Sequence, residues 1–465
     1  MKKILIALLL MLYSAPSRSE PVIEVDIETV TKKVSDQNFL ILQNAMRVYQ
    51  SKEAVNVSRG QVLPRLNVWK WSSMLFDIRS ATSIVEDVAP FLVPSNWFRV
   101  QEQKELYESQ RHAYYALWLN EVYNARVLYY KIFLDQRLSE FIKREIRELN
   151  SIKEIVASRE LWGALRPGST LELDVRILAL EEDLRSLNSL LIETRSLLAM
   201  AMSLDPNIKL VLLPMKELKI DSLKFGLDYS FLSRIALERS PEVQQYENLI
   251  SVARIIRQEF SVTALGLNTL ARGFTGSQFD SMPIQPGLGF GTPASIRIAR
   301  GQQNLLILQK WVIEEVIKKQ IKNLILDVEL DFSNLENITK RVEYTKGLLD
   351  ITYKRISMGE EVDLLHLVEA SRNHIAAEMS EQEVELRFYK HMERKNRLLI
   401  EDVYNQQPVE IESLGKFEEK LRLIKEETNH KDLEDEKLFK DLPKKKCRFF
   451  RKIFGLCKKN EDQNH

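Results

Sequence analysis

Glycine, proline and cysteine are all scarce in this chain of 465 residues, with 15, 14 and 2 copies respectively. So little glycine and proline favours helix over sheet. Beyond residue 19 there is no run of 18 or more apolar residues, so no single helix is built to span a bilayer. Any crossing of a membrane would have to be made by a closed barrel, because open sheet edges are not tolerated in lipid. Excess charge of either sign is missing too. The formal net charge is +1, so no general affinity for nucleic acid follows. The six histidines are His112, His366, His374, His391, His430 and His465. None has the close spacing of a metal site, and serine, cysteine and phosphate-loop signatures are missing. The expectation is a protein with no enzymatic activity, cofactor or metal.

What is present begins with a targeting segment. Lys2-Lys3 precede a short apolar run from Ile4 to Tyr13, and Ser17-Arg18-Ser19 supplies small residues around a cleavage point. Residues 1–19 therefore read as a signal peptide and the chain as exported. No cysteine stands near the cut, so a lipid anchor there is not supported.

The rest of the chain is written twice. Ser35-Asp36-Gln37-Asn38-Phe39 opens an amphipathic run ending at Leu63-Pro64-Arg65-Leu66. About 202 residues later, Arg239-Ser240-Pro241 opens another, ending at Leu265-Gly266-Leu267. Further on, Leu128, Ile142, Leu149 and Val156 stand in register with Ile321, Leu335, Val342 and Leu349 at an offset near 193. So large a period marks a duplication rather than a solenoid. The expected parts are a first repeat over 20–230, a second over 231–404 and a tail over 405–465.

Proline spacing locates the long elements. None occurs between Pro94 and Pro167 or between Pro293 and Pro408, and proline inside a helix costs roughly 3 kcal/mol. These gaps predict helices over about 98–162 and 300–357, each on the order of 90 Å long. Pro167-Gly168 and Met358-Gly359 are read as their ends, with return helices over about 171–204 and 364–404. The prediction is two antiparallel helical hairpins, one per half. Ile321, Val328, Leu335, Val342, Leu349 and Ile356 recur every seven residues, with Ile325, Phe332 and Tyr353 beside them. A strict period of seven makes helices coil around a partner, which fits a coiled-coil dimer, a helical bundle or a two-sided wall.

Between short and long helices lie strand-like pieces: Arg65 to Phe76, Val88 to Trp97, Leu265 to Phe274 and Leu288 to Phe290. Single barrel strands carry a weak signal, and a β hairpin capping a bundle is the other reading. In the tail, Lys444-Lys445-Lys446-Cys447 runs through Arg448-Phe449-Phe450-Arg451-Lys452 to Cys457-Lys458-Lys459. Cys447 and Cys457 suit a disulfide in an exported chain or two free thiols. A cationic loop interleaved with Phe is suited to anionic lipid or peptidoglycan.

The order of these parts resembles the TolC-like outer-membrane efflux proteins. Tyr353-Lys354-Arg355-Ile356-Ser357-Met358-Gly359, followed by Val362-Asp363-Leu364-Leu365-His366-Leu367-Val368-Glu369-Ala370, is similar to the second helical tip of that family. Pro167-Gly168-Ser169-Thr170-Leu171-Glu172-Leu173-Asp174-Val175 is similar to the first tip, and Leu63-Pro64-Arg65-Leu66 to the turn into the first strand. The resemblance covers about residues 30–404 and departs at Leu265-Gly266. It implies a mainly α fold with a small β part, namely duplicated helical hairpins forming an α-barrel tunnel in the periplasm. Short β hairpins from three chains would complete one twelve-stranded barrel in the outer membrane. It implies a homotrimer that conducts substrates delivered by an inner-membrane transporter through a periplasmic adaptor.

The resemblance also implies site roles. Glu369, Asp363 and Asp174 are pore-constriction candidates, although acids in a first helical turn also simply favour the dipole. Arg355, Met358, Gly359, Pro167 and Gly168 are adaptor-contact candidates, although glycine there also serves as a plain C-cap. A non-conducting periplasmic coiled-coil scaffold or an adaptor of the envelope is the competing function. An adaptor would carry one hairpin between Val- and Gly-rich halves, and those flanks are missing.

Overall fold

The computed structural model describes residues 22–64, 90–206, 208–214, 228–263, 291–360 and 364–427. Residues 1–412 and 413–465 form two compact units. In the second, helix α9 (Leu414–Glu427) starts where Ser413 Oγ accepts the Lys416 backbone N–H at 3.4 Å.

The first unit repeats its helices in order and length. Strand β1 (Val22–Val25) leads to α1 (Ile27–Gln37) and α2 (Phe39–Val62), then to α3 (Pro94–Leu161), α4 (Ser169–Ala201) and β2 (Lys209–Leu212). The second set is α5 (Tyr229–Arg239), α6 (Pro241–Thr263), α7 (Thr292–Met358) and α8 (Leu364–Leu399). The caps repeat as well. Asp26 accepts the Thr29 N–H at 2.8 Å at the head of α1, and Asp228 accepts the Ser230 N–H at 2.9 Å at the head of α5. The Thr29 and Ser230 side chains first, and these backbone bonds second, lower the two carboxyl pKa values. Asn38 then caps α2 through Leu40 and Ile41 (2.9 and 3.1 Å), and Ser240 accepts the Val243 N–H at 3.2 Å to start α6. A short acceptor side chain at the first position satisfies otherwise unpaired helical N–H groups.

α3 spans 68 residues and α7 spans 67, about 100 Å each at the helical rise. Both open with proline in the first turn, where its missing N–H removes no bond. This corrects the expected starts, which fall at Pro94 and Thr292 rather than near 98 and 300. It also corrects the apolar piece Val88 to Trp97. Pro90–Leu92 form a 3₁₀ turn and residues from Pro94 onward are already helix. The return helix read to 404 stops at Leu399.

The long helices begin 198 residues apart and end 197 apart, not 193. An apolar stripe repeating every 3.5 residues nearly superposes on itself after a shift of four, so phase alone cannot separate registers one turn apart.

Neighbours along the wall follow from this layout. The upper part of α3 packs on α2 and α6, and its lower part on α4 and α8; α7 packs on α6 above and α8 below. Below, the four hairpin helices therefore stand in the order α4, α3, α8, α7. The upper core gathers Trp118, Tyr129, Tyr130 and Leu198. The lower one gathers Ile142, Leu149, Val156, Leu173, Leu349, Ile356 and Leu367. β1 and β2 pair in parallel, Val22 with Lys209 through Val25 with Leu212, which ties the head of the first set to the end of its hairpin. The sequence reading lacked this sheet, since four-residue strands carry almost no periodicity. No described helix is long and apolar enough to cross a membrane. The strand-like pieces other than Pro90–Trp97, the segment 1–19, Asp363, Cys447 and Cys457 lie outside the described residues.

Candidate functional site: helical tips and edge seams

At the first tip α3 stops at Leu161, and Gly163 takes φ +69°, a conformation that costs glycine little. Pro167-Gly168 does not end this helix, contrary to expectation; it opens the next one. Gly168, at φ +96°, is the N-cap of α4 and has no side chain to cap with. Glu160 performs that role from the end of α3. Its Oε1 accepts the Gly168 N–H at 2.5 Å, and its Oε2 accepts the Thr170 N–H at 2.9 Å and the Thr170 hydroxyl. The Thr170 hydroxyl and the two backbone donors hold its carboxyl below the usual range.

At the second tip Gly359 sits at φ +92° and donates its N–H to the Ile356 carbonyl at 3.2 Å. The Glu360 N–H returns to the Arg355 carbonyl at 3.0 Å. This turn satisfies end carbonyls and needs glycine at its left-handed position. A Cβ on Gly359 would stand 3.3 Å from the Arg159 guanidinium. Arg355 is fixed on Glu360 at 2.6 Å. Arg159 thus reaches from the first tip to the second, so the structure gathers all five tip candidates at one end of the hairpins. Beside them are side chains that the sequence reading missed. Leu161 and Trp162 are 88% and 87% exposed, and Met358 is 76% exposed. The signal was available, since Leu161-Trp162 are apolar residues at a predicted helix end with nothing local to cover them.

The acidic candidates separate. Asp174 is held by Lys153, Oδ1 to Nζ, at 2.5 Å on the α3–α4 hairpin. Glu369 is exposed on α8, while its neighbours Leu367 and Ala370 face the core.

The hairpins are pinned together well above the tips. Glu393 of α8 is 0% exposed and accepts Arg126 Nε and Nη2 of α3, both at 2.8 Å. The Tyr130 and Tyr404 hydroxyls each add a bond of 2.7 Å, and Arg126 Nη1 reaches Thr31 Oγ1 at 3.1 Å. Burial, then the Glu393 charge, raises both tyrosine pKa values.

The outer flanks of the wall are apolar as well. α7 carries a second apolar stripe of Leu305, Leu308, Val312, Leu326, Leu330, Tyr344, Leu348 and Ile351, all exposed. Buried Leu306, Val328 and Leu349 each lie two residues before a member of it, about 200° around the helix. α4 does the same in reverse. Exposed Leu171, Val175, Leu178 and Ile192 precede buried Leu173, Ile177, Leu180 and Thr194 by two. Both edges of the wall are therefore apolar on the side away from their own chain.

Solved structures with this layout cover most of the chain. It is similar to the outer-membrane channel OprN, with a TM-score of 0.63 and 12% identity over 80% of this chain and 89% of that one. The fold is that of the TolC-like outer-membrane channels. The CmeC outer membrane channel of Campylobacter jejuni matches with a TM-score of 0.63 and 13% identity, covering 88% of this chain and 90% of its own. The open-state MtrE outer membrane channel of Neisseria gonorrhoeae matches at 0.58 and 12% identity, over 81% and 89%. No protein-family model matches this chain, and no curated protein does. At such identities the TolC-like likeness is one of fold, carried by helix lengths and order.

Proposed function

We propose that this chain is an outer-membrane channel that closes into a ring with two further copies of itself and passively conducts substrates out of the periplasm. The observation that carries the reading is the pair of unpartnered apolar edges. α3 lies between α2 and α6, whereas α7 has α6 on one side and its Leu305–Ile351 stripe on the other. If the second repeat is completed as the first is, α2 and α4 of the next copy cover α7. Such a head-to-tail contact uses different faces on the two copies and closes as a ring. The number three follows the resemblance to the TolC-like channels.

The helices would then stand in the periplasm, and the strand-like pieces that the sequence places between the short and long helices would stand in the outer membrane. Leu161, Trp162, Met358 and Gly359 at the tips, with Arg355, Pro167 and Gly168, would receive a periplasmic adaptor linked to an inner-membrane transporter. Glu369 is the leading candidate for a charged ring, with Asp363 second. Asp174 is weakened in that role by its pairing with Lys153. Sizing of detergent-extracted protein, followed by conductance in planar bilayers, tests this function. Trimers that conduct support it. A monomer released from envelopes by salt without detergent would refute it and favour a periplasmic scaffold.

A further inference from the structure

The seam between the two hairpins contains a carboxyl group that the function above does not use. Glu145 of α3 is 5% exposed, and its Oε2 is buried without a hydrogen-bond partner. On its own helix it lies among Phe141, Ile142 and Leu149, all members of the lower core. Each of the other three hairpin helices also buries a polar atom that has no partner: Arg176 Nε on α4, Tyr353 Oη on α7 and Ser371 Oγ on α8. The edge-to-face contact of Phe141 with His374, with centroids 5.4 Å apart, sets the level at which α3 meets α8. One turn nearer the tips from that contact, α3 presents Glu145 and α8 presents Ser371.

The charges around Glu145 are mixed. Glu148 and Arg144 act from its own helix, Arg176 from α4 and Glu378 from α8. Asp183 and Arg372 act on Arg176, and Asp350 acts on Tyr353. His374, also facing this core, is driven toward its neutral form by burial. Among the described residues no cation hydrogen-bonds the buried Oε2 of Glu145, so Arg176 and Arg144 offset the cost of burying a charge there only through space.

We propose that Glu145 is a proton-controlled latch: protonated, it lets the two hairpins pack closely, and ionised, it loosens the seam between them. Burial, aided by Glu148 and Glu378 and opposed by Arg176 and Arg144, pushes its carboxyl up to about 7. A closed seam then holds a proton that an opened, hydrated one releases, so opening grows with pH until the closed form also ionises. Taking 4.5 for the opened seam and about 7 for the closed one, the opening constant rises about tenfold between pH 6 and 8 and flattens above. The latch lies within one chain and does not require conduction. Its consequence for a tunnel, a wider lower end at higher pH, rests on the channel reading.

The test is amide hydrogen exchange by mass spectrometry on the full chain in detergent, from pH 5.5 to 8.5, corrected for intrinsic rates. The expected result is a loss of protection in segments 138–156 and 364–378 with a midpoint near 7. Glu145→Gln should hold both segments at their low-pH protection, Glu145→Asp should keep the step, and Glu154→Gln, exposed on the same helix, should leave it unchanged. The proposal stands on a step larger than about threefold that only Glu145→Gln abolishes. A smaller step, a step that survives in Glu145→Gln, or one lost in Glu154→Gln overturns it. Bilayer conductance bears separately on the channel reading, so the two can fail independently.

Discussion

Replacing Arg126 by methionine would leave Glu393 in the worst position a carboxylate can occupy. The side chain is fully buried, and its two bonds from the guanidinium, both 2.8 Å, would vanish. Only the Tyr130 and Tyr404 hydroxyls would remain. Breaking a buried ion pair by removing one partner costs about 3–5 kcal/mol, because an uncompensated charge is left behind. Net stabilities are usually only about 5–15 kcal/mol, so this is a large share. The double variant Arg126→Met with Glu393→Met removes both charges at similar volume. Ion pairs replaced by well-packed apolar groups are often neutral, so it should recover most of the loss. The assay is urea unfolding followed by far-ultraviolet circular dichroism, at fixed protein and detergent concentration, for the wild type, both single variants and the double. A coupling of about 3 kcal/mol or more is expected. A cost below about 1 kcal/mol for Arg126→Met, or a double variant as unstable as the sum of the singles, would refute the pin.

Gly359→Ala puts a Cβ at φ +92° and 3.3 Å from Arg159; a cost of about 1–3 kcal/mol in the same unfolding assay is expected, and an unchanged midpoint would contradict it. Glu160 has a lowered pKa in the folded state. Its contribution is therefore complete above the unfolded value of 4.5 and is lost as pH falls through the folded one. Faster exchange of the Gly168 and Thr170 amides at low pH, matched at neutral pH by Glu160→Gln, checks this. Trp311, exposed on α7 beside the outer stripe, and Leu330 within it should each convert the oligomer to smaller species when changed to Glu; sizing in detergent reads it, and an unmoved peak argues against the edge seam. Trp162→Ser should leave size and conductance alone while weakening capture by an adaptor in co-purification from envelopes. Equal capture would remove the tip from the docking surface.

The existence and approximate length of the four hairpin helices were legible in the residues because they depend on local terms, whereas the short helices α1 (Ile27–Gln37) and α5 (Tyr229–Arg239) were not separated from the runs that follow them. Proline-free gaps bounded by Pro94, Pro167 and Pro293, and a seven-residue apolar stripe, suffice to place two long hairpins. The helix end at Gly359 was legible for the same reason, since the residue that stops a helix this way takes a positive φ. Leu161 and Trp162 were missed although two apolar residues at a helix end were there to read; that they stay exposed depends on what fails to cover them.

The sequence by itself therefore determined a duplicated, helix-dominated chain with two hairpins and two glycine-bearing tips. Tertiary structure alone decided the rest. Arg126 meets Glu393 across 267 positions, and no periodicity encodes a contact between residues so far apart. The true offset of 197–198 between the long helices escaped a pattern that repeats after one turn. Which stripe is hidden within the chain and which is left exposed could be told only once neighbours were in place. Burial, unlike helix propensity, belongs to the neighbours a residue acquires on folding.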